Sequence, residues 1–264
     1  MALSPPRTLS PTKVSAFTGC PLAFRLVNID RLPEPPSPHA VKGTLVHMAL
    51  EGLVWNHAPG SRSVEVALVE LADAWGRMQG TPEVEGLALT REEEEAFVAD
   101  SEVLIRNYFE LEDPDRVRAT GVELGLEVDL GDIRLRGIID RLDLTDDDEL
   151  VVVDYKTGRA PAPRFEHGRL TGVHIYALLC EQVLGRAPTE VRLLYLRDPL
   201  MISASPSVQS VRGQHRRTQA VWTAIERACA TEDFRPNPSA LCRSCNFQAM
   251  CPAFGGEPPA TLAS

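Results

Sequence analysis

No apolar run in this 264-residue chain approaches the length of a membrane-spanning helix. Its first residues, MALSPPRTLSPTK, lack the apolar core of a secretory leader. Both absences lead to the expectation of a cytoplasmic protein with no membrane partner. No GxxxxGK[ST] phosphate loop is present, so any ATP-driven step would fall to another chain. Nor is there an internal repeat. Basic residues are in deficit: 27 Lys and Arg against 37 Asp and Glu leave a net charge of −10. That balance speaks against broad contact with a phosphate backbone. The charges are segregated, however. Acids concentrate at Glu92–Glu95, Glu110–Asp115 and Asp146–Glu149, while bases gather at Arg134, Arg136 and Arg141 and at Arg212, His215, Arg216 and Arg217. Within a cleft the local field matters more than the net charge.

With 44% hydrophobic and 24% charged residues, the composition is that of a globular chain with one large or two small domains. The order of signals predicts helices first and a sheet afterwards. Ser10-Pro11 opens a short helix over Thr12–Thr18, with Ser10 as N-cap. Residues 33–38, PEPPSP, read as a stiff connector. A helix beginning at Gly43-Thr44 carries the apolar stripe Val46, Ala49, Leu50, Leu53 and Val54, with His47 at its margin. Further helices are expected over 62–80 and 90–112, the latter capped by Thr90 and striped by Phe97, Ser101, Leu104, Ile105 and Tyr108.

The period becomes strand-like at Arg118, and Glu123 lies on this first strand. Gly131-Asp132 turns the chain into the stretch that organises the rest, DIRLRGIIDRLDLTDDDELVVVDYKTG, residues 132–158. Two β-branched runs flank the acidic turn Thr145–Glu149. Period-two alternation puts Asp154 and Lys156 on one face, and Val151, Val153 and Tyr155 on the other. A hairpin closed at 145–149 brings Asp140 across from Asp154. Two carboxylates and an ammonium at one sheet end suit a hard divalent cation and a phosphate. After a loop over 158–168, a helix from Leu170 to Leu184 carries Tyr176, with Val173, Ala177, Cys180 and Leu184 on its inner stripe. Strands follow at Glu190–Arg197 and Met201–Val211. A last helix, Gln214–Ala230, has Arg216 and Arg217 in its first turn, against the helix dipole.

Six cysteines in a chain expected to be cytoplasmic point to metal or cluster ligation before disulfides. Cys180 and Cys229 sit in apolar helical surroundings and read as packing residues. Cys242, Cys245 and Cys251 share the spacing C-x2-C-x5-C near the C-terminus. They require a fourth ligand to close either a tetrahedral zinc site or an iron–sulfur cluster; Cys20 is the candidate, and the alternative is a structural zinc knuckle with a non-cysteine fourth ligand. The segment after 254 reads as a disordered tail.

Taken together, LSPTKVSAFTGCPLAFRLVNIDRLP, KGTLVH, GIIDRLD, VVDYKTG and CRSCNFQAMCP resemble the RecB-type exonuclease family of the PD-(D/E)xK nuclease superfamily. That group includes the AddB nuclease domain, CRISPR-associated adaptation nucleases and exonuclease V-like proteins. The resemblance implies an α/β fold: a restriction-endonuclease-like core with a mixed central sheet flanked by helices, an N-terminal helical segment and a terminal Fe–S clasp. It divides one integrated domain into residues 1–117, 118–230 and 231–264. It implies a Mg²⁺ or Mn²⁺ site on His47, Asp140, Asp154 and the Tyr155 carbonyl. Lys156 would be catalytic, with Glu123 and Tyr176 beside it. Cys20, Cys242, Cys245 and Cys251 would hold a [4Fe–4S] cluster. The implied activity is a DNA exonuclease that prefers single strands or ends, works in repair or recombination, and has a helicase or recombination partner. The alternatives are a CRISPR adaptation nuclease and a non-catalytic DNA-binding scaffold with a zinc-bound cysteine site. One departure is visible: the family places a Gln four residues before the tyrosine, where this chain has Gly172. That change is expected to weaken DNA binding or alter the rate without removing a metal ligand.

Overall fold

A computed structural model describes residues 3–161 and 166–258, with backbone alone over 166–173. The side chain of Val173, the surroundings of Gly172, part of the 158–168 loop and the end of the tail lie outside the described residues. The chain divides into two compact units. One comprises Met1–Pro35, Glu127–Gly137 and Val208–Ser264. The other comprises Pro36–Leu126 and Ile138–Ser207.

The second unit holds most of the sheet. β1 (Ala119–Leu130), β2 (Ile133–Leu144), β3 (Leu150–Lys156), β4 (Glu190–Tyr195) and β5 (Leu200–Ala204) lie in that spatial order. β2 and β3 are antiparallel, with Arg141 opposite Val153, and the Thr145–Glu149 turn closes them as expected. β3 and β4 are parallel, joined by a crossover through α7 (Glu166–Leu184), and β5 returns antiparallel to β4. The turn end of the β1–β2 hairpin, residues 127–137, belongs to the first unit. The sheet is thus mixed, and with its helices it is the expected α/β fold.

Three helices of the second unit pack with one face of β3. They are α3 (Pro38–Asn56), α4 (Val64–Met78) and α6 (Arg91–Leu111); α5 (Pro82–Glu85) is a single turn between the last two. Val151, Val153 and Tyr155 join Leu45, Leu50, Leu71, Ile105 and Tyr108 in one core, so the alternation read along β3 holds. The stripe expected on α6 is buried throughout. Its start is a capping box: Thr90 Oγ1 accepts the Glu93 N–H (3.3 Å) and Glu93 returns a carboxylate oxygen to the Thr90 N–H (2.8 Å). Burying these stripes is the main force holding helices to sheet.

Several expected boundaries move. α3 starts at Pro38, not at Gly43: a proline at the first helical position needs no N–H, so the end of PEPPSP initiates a helix. α7 starts at Glu166, not Leu170, and Leu184 is 39% exposed in its last turn; the buried side is Ile175 and Ala177–Cys180. β5 ends at Ala204, not Val211, because Pro206 cannot donate to a ladder. Helical period then begins at once in α8 (Val208–Thr231), which buries Val211, Gln214, Thr218, Val221 and Trp222. Arg216 and Arg217 therefore lie more than two turns inside α8, and the expected conflict with the helix dipole does not exist.

The first unit contains α1 (Pro11–Gly19), α2 (Pro21–Asn28) and α8. Ser10 caps α1 through the Lys13 N–H at 3.2 Å. Leu22, Leu26 and Phe247 form a small core on which Cys20, Cys245 and Cys251 pack. Among the described residues no helix is long and apolar enough to cross a membrane.

Candidate functional site

All the residues assigned to the metal site lie in the second unit. The β2–β3 register puts Asp140 at the position facing Asp154. One carboxylate oxygen of Asp140 accepts the Tyr155 N–H at 2.7 Å, so the backbone of β3 holds that side chain. His47 reaches the same place from the middle of α3. Its Nδ1 stands 3.6 Å from Asp140 Oδ2 and 3.8 Å from Glu123 Oε1. Its Nε2 lies 3.2 Å from the Tyr155 carbonyl, which can only accept. The ring therefore carries its proton on Nε2 when neutral, leaving the Nδ1 lone pair for a cation among the carboxylates.

Glu123 arrives by a break in β1. Strict alternation puts residues five apart on opposite faces, yet Gly121 and Leu126 are both buried. The phase slips at Glu123, whose φ is +44°, the left-handed region. Such a bulge beside a site re-aims one side chain. As a result His47, Glu123 and Asp140 each offer a ligand atom within 4.8 Å of the others.

Asp154 is 4% exposed. Its Oδ1 lies 3.4 Å from the Tyr176 hydroxyl on α7, a long and weak hydrogen bond. Its Oδ2 is ion-paired with Lys156 Nζ, but in a geometry that leaves the oxygen without a hydrogen bond. Electrostatics follow from this crowding. Burial, then the charge of Asp154, push the Asp140 carboxyl up to about 7. Burial works against the imidazolium of His47, but Glu123, Asp140 and Asp154 outweigh it and raise that group. Burial likewise opposes the Lys156 ammonium, and Asp154 more than compensates, so it is held charged. Repelling buried carboxylates and a half-satisfied oxygen are what a divalent cation would relieve. The donor set of one imidazole and several carboxylates fits a divalent cation.

Behind the site lies a network that the sequence reading missed. Arg141, grouped above with Arg134 and Arg136 as a basic gathering, is 0% exposed. It points away from Asp140 into the core, pairs with Glu112 and with Asp143 (2.9 Å), and donates to the hydroxyls of Tyr108 (3.2 Å) and Tyr155 (2.8 Å). Arg134 of that gathering is neutralised by Asp129 at 2.8 Å. An Arg-x-Asp pair on one strand face was the available signal, since residues two apart share a face. Through Tyr155 the network fixes the backbone that holds Asp140 and meets His47.

The four cysteines of the terminal motif lie in the first unit, all half-buried. Cys20 Sγ accepts the Asn237 N–H (3.5 Å), and Cys242 Sγ accepts the Ser239 N–H (3.3 Å). Cys180 and Cys229 are buried, as expected, and burial raises their thiols to about 12 and about 11.

Comparison with known proteins places the chain in a family. The chain is 25% identical to the Gene 69 protein of Mycobacterium phage D29, over 93% of this chain and 96% of that protein. It is also 25% identical to the Gene 69 protein of Mycobacterium phage L5, over 96% and 98% respectively. A solved structure from Eubacterium rectale, described as a "Putative exonuclease", superposes with a TM-score of 0.59 at 12% identity, over 91% of this chain and 88% of that one. That likeness speaks to the fold. The family model of the PD-(D/E)XK nuclease superfamily matches residues 8–252, which span β1–β5, His47, Asp140, Asp154 and Lys156. On that match, the chain belongs to the PD-(D/E)XK nuclease superfamily.

Proposed function

We infer that the protein is a metal-dependent DNA nuclease, a RecB-type exonuclease that prefers single strands or their ends and serves repair or recombination. The observation that carries this reading is the convergence of His47, Glu123 and Asp140 within 4.8 Å, beside the buried Asp154–Lys156 pair. A divalent cation held there by His47, Asp140, Asp154 and Glu123, with the Tyr155 carbonyl in reach, would polarise the scissile phosphate and lower the pKa of a water. Lys156 supplies a fixed ammonium to orient the attacking water and to offset the charge that grows on the phosphate. Tyr176 steadies Asp154. His47 keeps Nδ1 turned inward because the Tyr155 carbonyl takes its other proton.

The terminal cysteines belong in this reading as a structural [4Fe–4S] site on Cys20, Cys242, Cys245 and Cys251. The sulfurs of Cys20 and Cys242 accept the N–H groups of Asn237 and Ser239, and hydrogen bonds to sulfur are among the features that tune such clusters.

The test is cleavage of end-labelled single- and double-stranded DNA with Mn²⁺, Mg²⁺ or EDTA, using protein purified without oxygen. Faster metal-dependent shortening of single strands supports the reading, and the label position gives the polarity. Metal-loaded protein that binds DNA but leaves it intact would favour the scaffold alternative.

A further inference from the structure

Beside Lys156 lies a cavity of about 550 Å³, lined by residues of α3, α6 and the turns that follow β3 and β4. Those turns lie beyond the carboxyl ends of two parallel strands, where open α/β sheets bind ligands. His39 and Lys42 border the cavity from α3, upstream of His47 on the same helix. Thr157 and Arg159 border it from the turn after Lys156, and Arg197 from the turn after β4. The acidic lining residue, Asp100, is ion-paired with Lys42. Arg159 and Arg197 are exposed and have no ion-pair partner among the described residues.

Their two turns are tied to each other. The Leu196 N–H donates to the Lys156 carbonyl at 2.9 Å. The Ala160 N–H donates to Asp198 Oδ2 at 3.3 Å, and Asn107 of α6 donates to the Leu196 carbonyl at 2.8 Å. Asp198 is thereby turned toward a backbone amide. The chain as a whole repels polyanions, with a net charge of −10, yet here two guanidiniums with no ion-pair partner among the described residues stand on a braced platform continuous with the catalytic strand.

We propose that this cavity is a strand-binding subsite, in which Arg159 and Arg197 hold the phosphodiester flanking the scissile bond. The proposal rests on the nuclease reading above and adds where the strand lies. Guanidinium forks match phosphate oxygens in two-point contact. Seating the neighbouring phosphate positions the reacting one, so the effect belongs to substrate positioning, not to bond cleavage itself.

The experiment measures binding of a fluorescent single-stranded oligonucleotide to the full chain by anisotropy, in EDTA, across a salt series. Each phosphate contact on a single strand contributes a slope of about 0.7 in log Kd against log salt. Because both arginines serve one phosphate, the Arg159→Ala/Arg197→Ala variant is expected to lower that slope by about 0.7, and Arg159→Lys/Arg197→Lys to restore most of it. In cleavage, the alanine variant loses through a raised KM. A single methylphosphonate at the flanking position slows the wild type and leaves the alanine variant indifferent. An unchanged salt slope in the alanine variant overturns the proposal, even if the wild type cleaves DNA well. A reduced slope in a protein that cleaves nothing keeps the subsite and defeats the nuclease reading instead.

Discussion

Glu123 offers a test in which the sign alone decides. Its φ of +44° puts a non-glycine residue in the left-handed region, inside what is otherwise a strand. For a residue with a Cβ that conformation costs about 1–2 kcal/mol. Its side chain is 37% exposed, so little packing is lost on truncation. Two substitutions, Glu123→Ala and Glu123→Gly, remove the same carboxylate, the same contact with His47 and the same repulsion toward Asp140. They differ in the Cβ that meets the strained backbone. In an ordinary strand interior glycine is less stable than alanine by about 0.5–1 kcal/mol. At a left-handed position the order reverses, and Glu123→Gly should be the more stable by about 1 kcal/mol. At roughly 2–4 °C per kcal/mol for chains of this size, that separates the two melting temperatures by a few degrees. The comparison is made by thermal melting in EDTA, so that no cation contributes. Both variants should also bind Mn²⁺ more weakly, and to the same extent. If Glu123→Ala melts at or above Glu123→Gly, β1 is a regular strand and the slip that aims Glu123 at the site does not exist.

The remaining predictions concern what supports the site. Arg141→Ala leaves Glu112 and Asp143 buried without their ion-pair partner and should cost roughly 3–5 kcal/mol in urea unfolding, more than the fully neutralised Arg141→Met/Glu112→Gln/Asp143→Asn. Burial opposes the Glu112 carboxylate, but Arg141 outweighs it and holds the group below its usual range, whereas at Asp143 burial wins and raises it. A lowered folded pKa gives stability that is present above the unfolded value near 4.5 and is lost as pH falls through the folded one. Melting temperature should therefore decline more gently below pH 5 in Glu112→Gln than in the wild type, and parallel curves would contradict this. Cys245→Ala should give a colourless, poorly soluble protein without iron or sulfide, and a stable, active, iron-free variant would count against a structural cluster.

The parts of the fold that were legible in the sequence rest on local physics. The capping box at Thr90, the stripe of α6 and the alternation of β3 each depend on neighbours within a few positions. The hairpin over 132–158 was legible because its acidic turn separates two β-branched runs, and Asp140 and Asp154 followed from the register. The buried network of Arg141 was not legible because two of its partners, Tyr108 and Glu112, lie about thirty positions away on and just after α6. The closeness of Glu123 depends on one backbone angle that no residue type in VELGLEV announces. The start of α3 at Pro38 was hidden in a proline-rich segment whose last proline opens a helix. Cys20 and Asn237 meet across more than two hundred positions, a distance that spacing rules do not span.

The central claim is that Lys156 and the carboxylates around it cut a phosphodiester. Its most direct test is the rate of metal-dependent cleavage of an end-labelled single strand by wild-type protein and by Lys156→Ala, with strand binding measured in parallel. Loss of one such preorganised charge typically lowers the rate by about 10²–10³. The account predicts that loss in Lys156→Ala, with the strand still bound and the melting temperature close to that of the wild type. Cleavage by Lys156→Ala at the wild-type rate would contradict it.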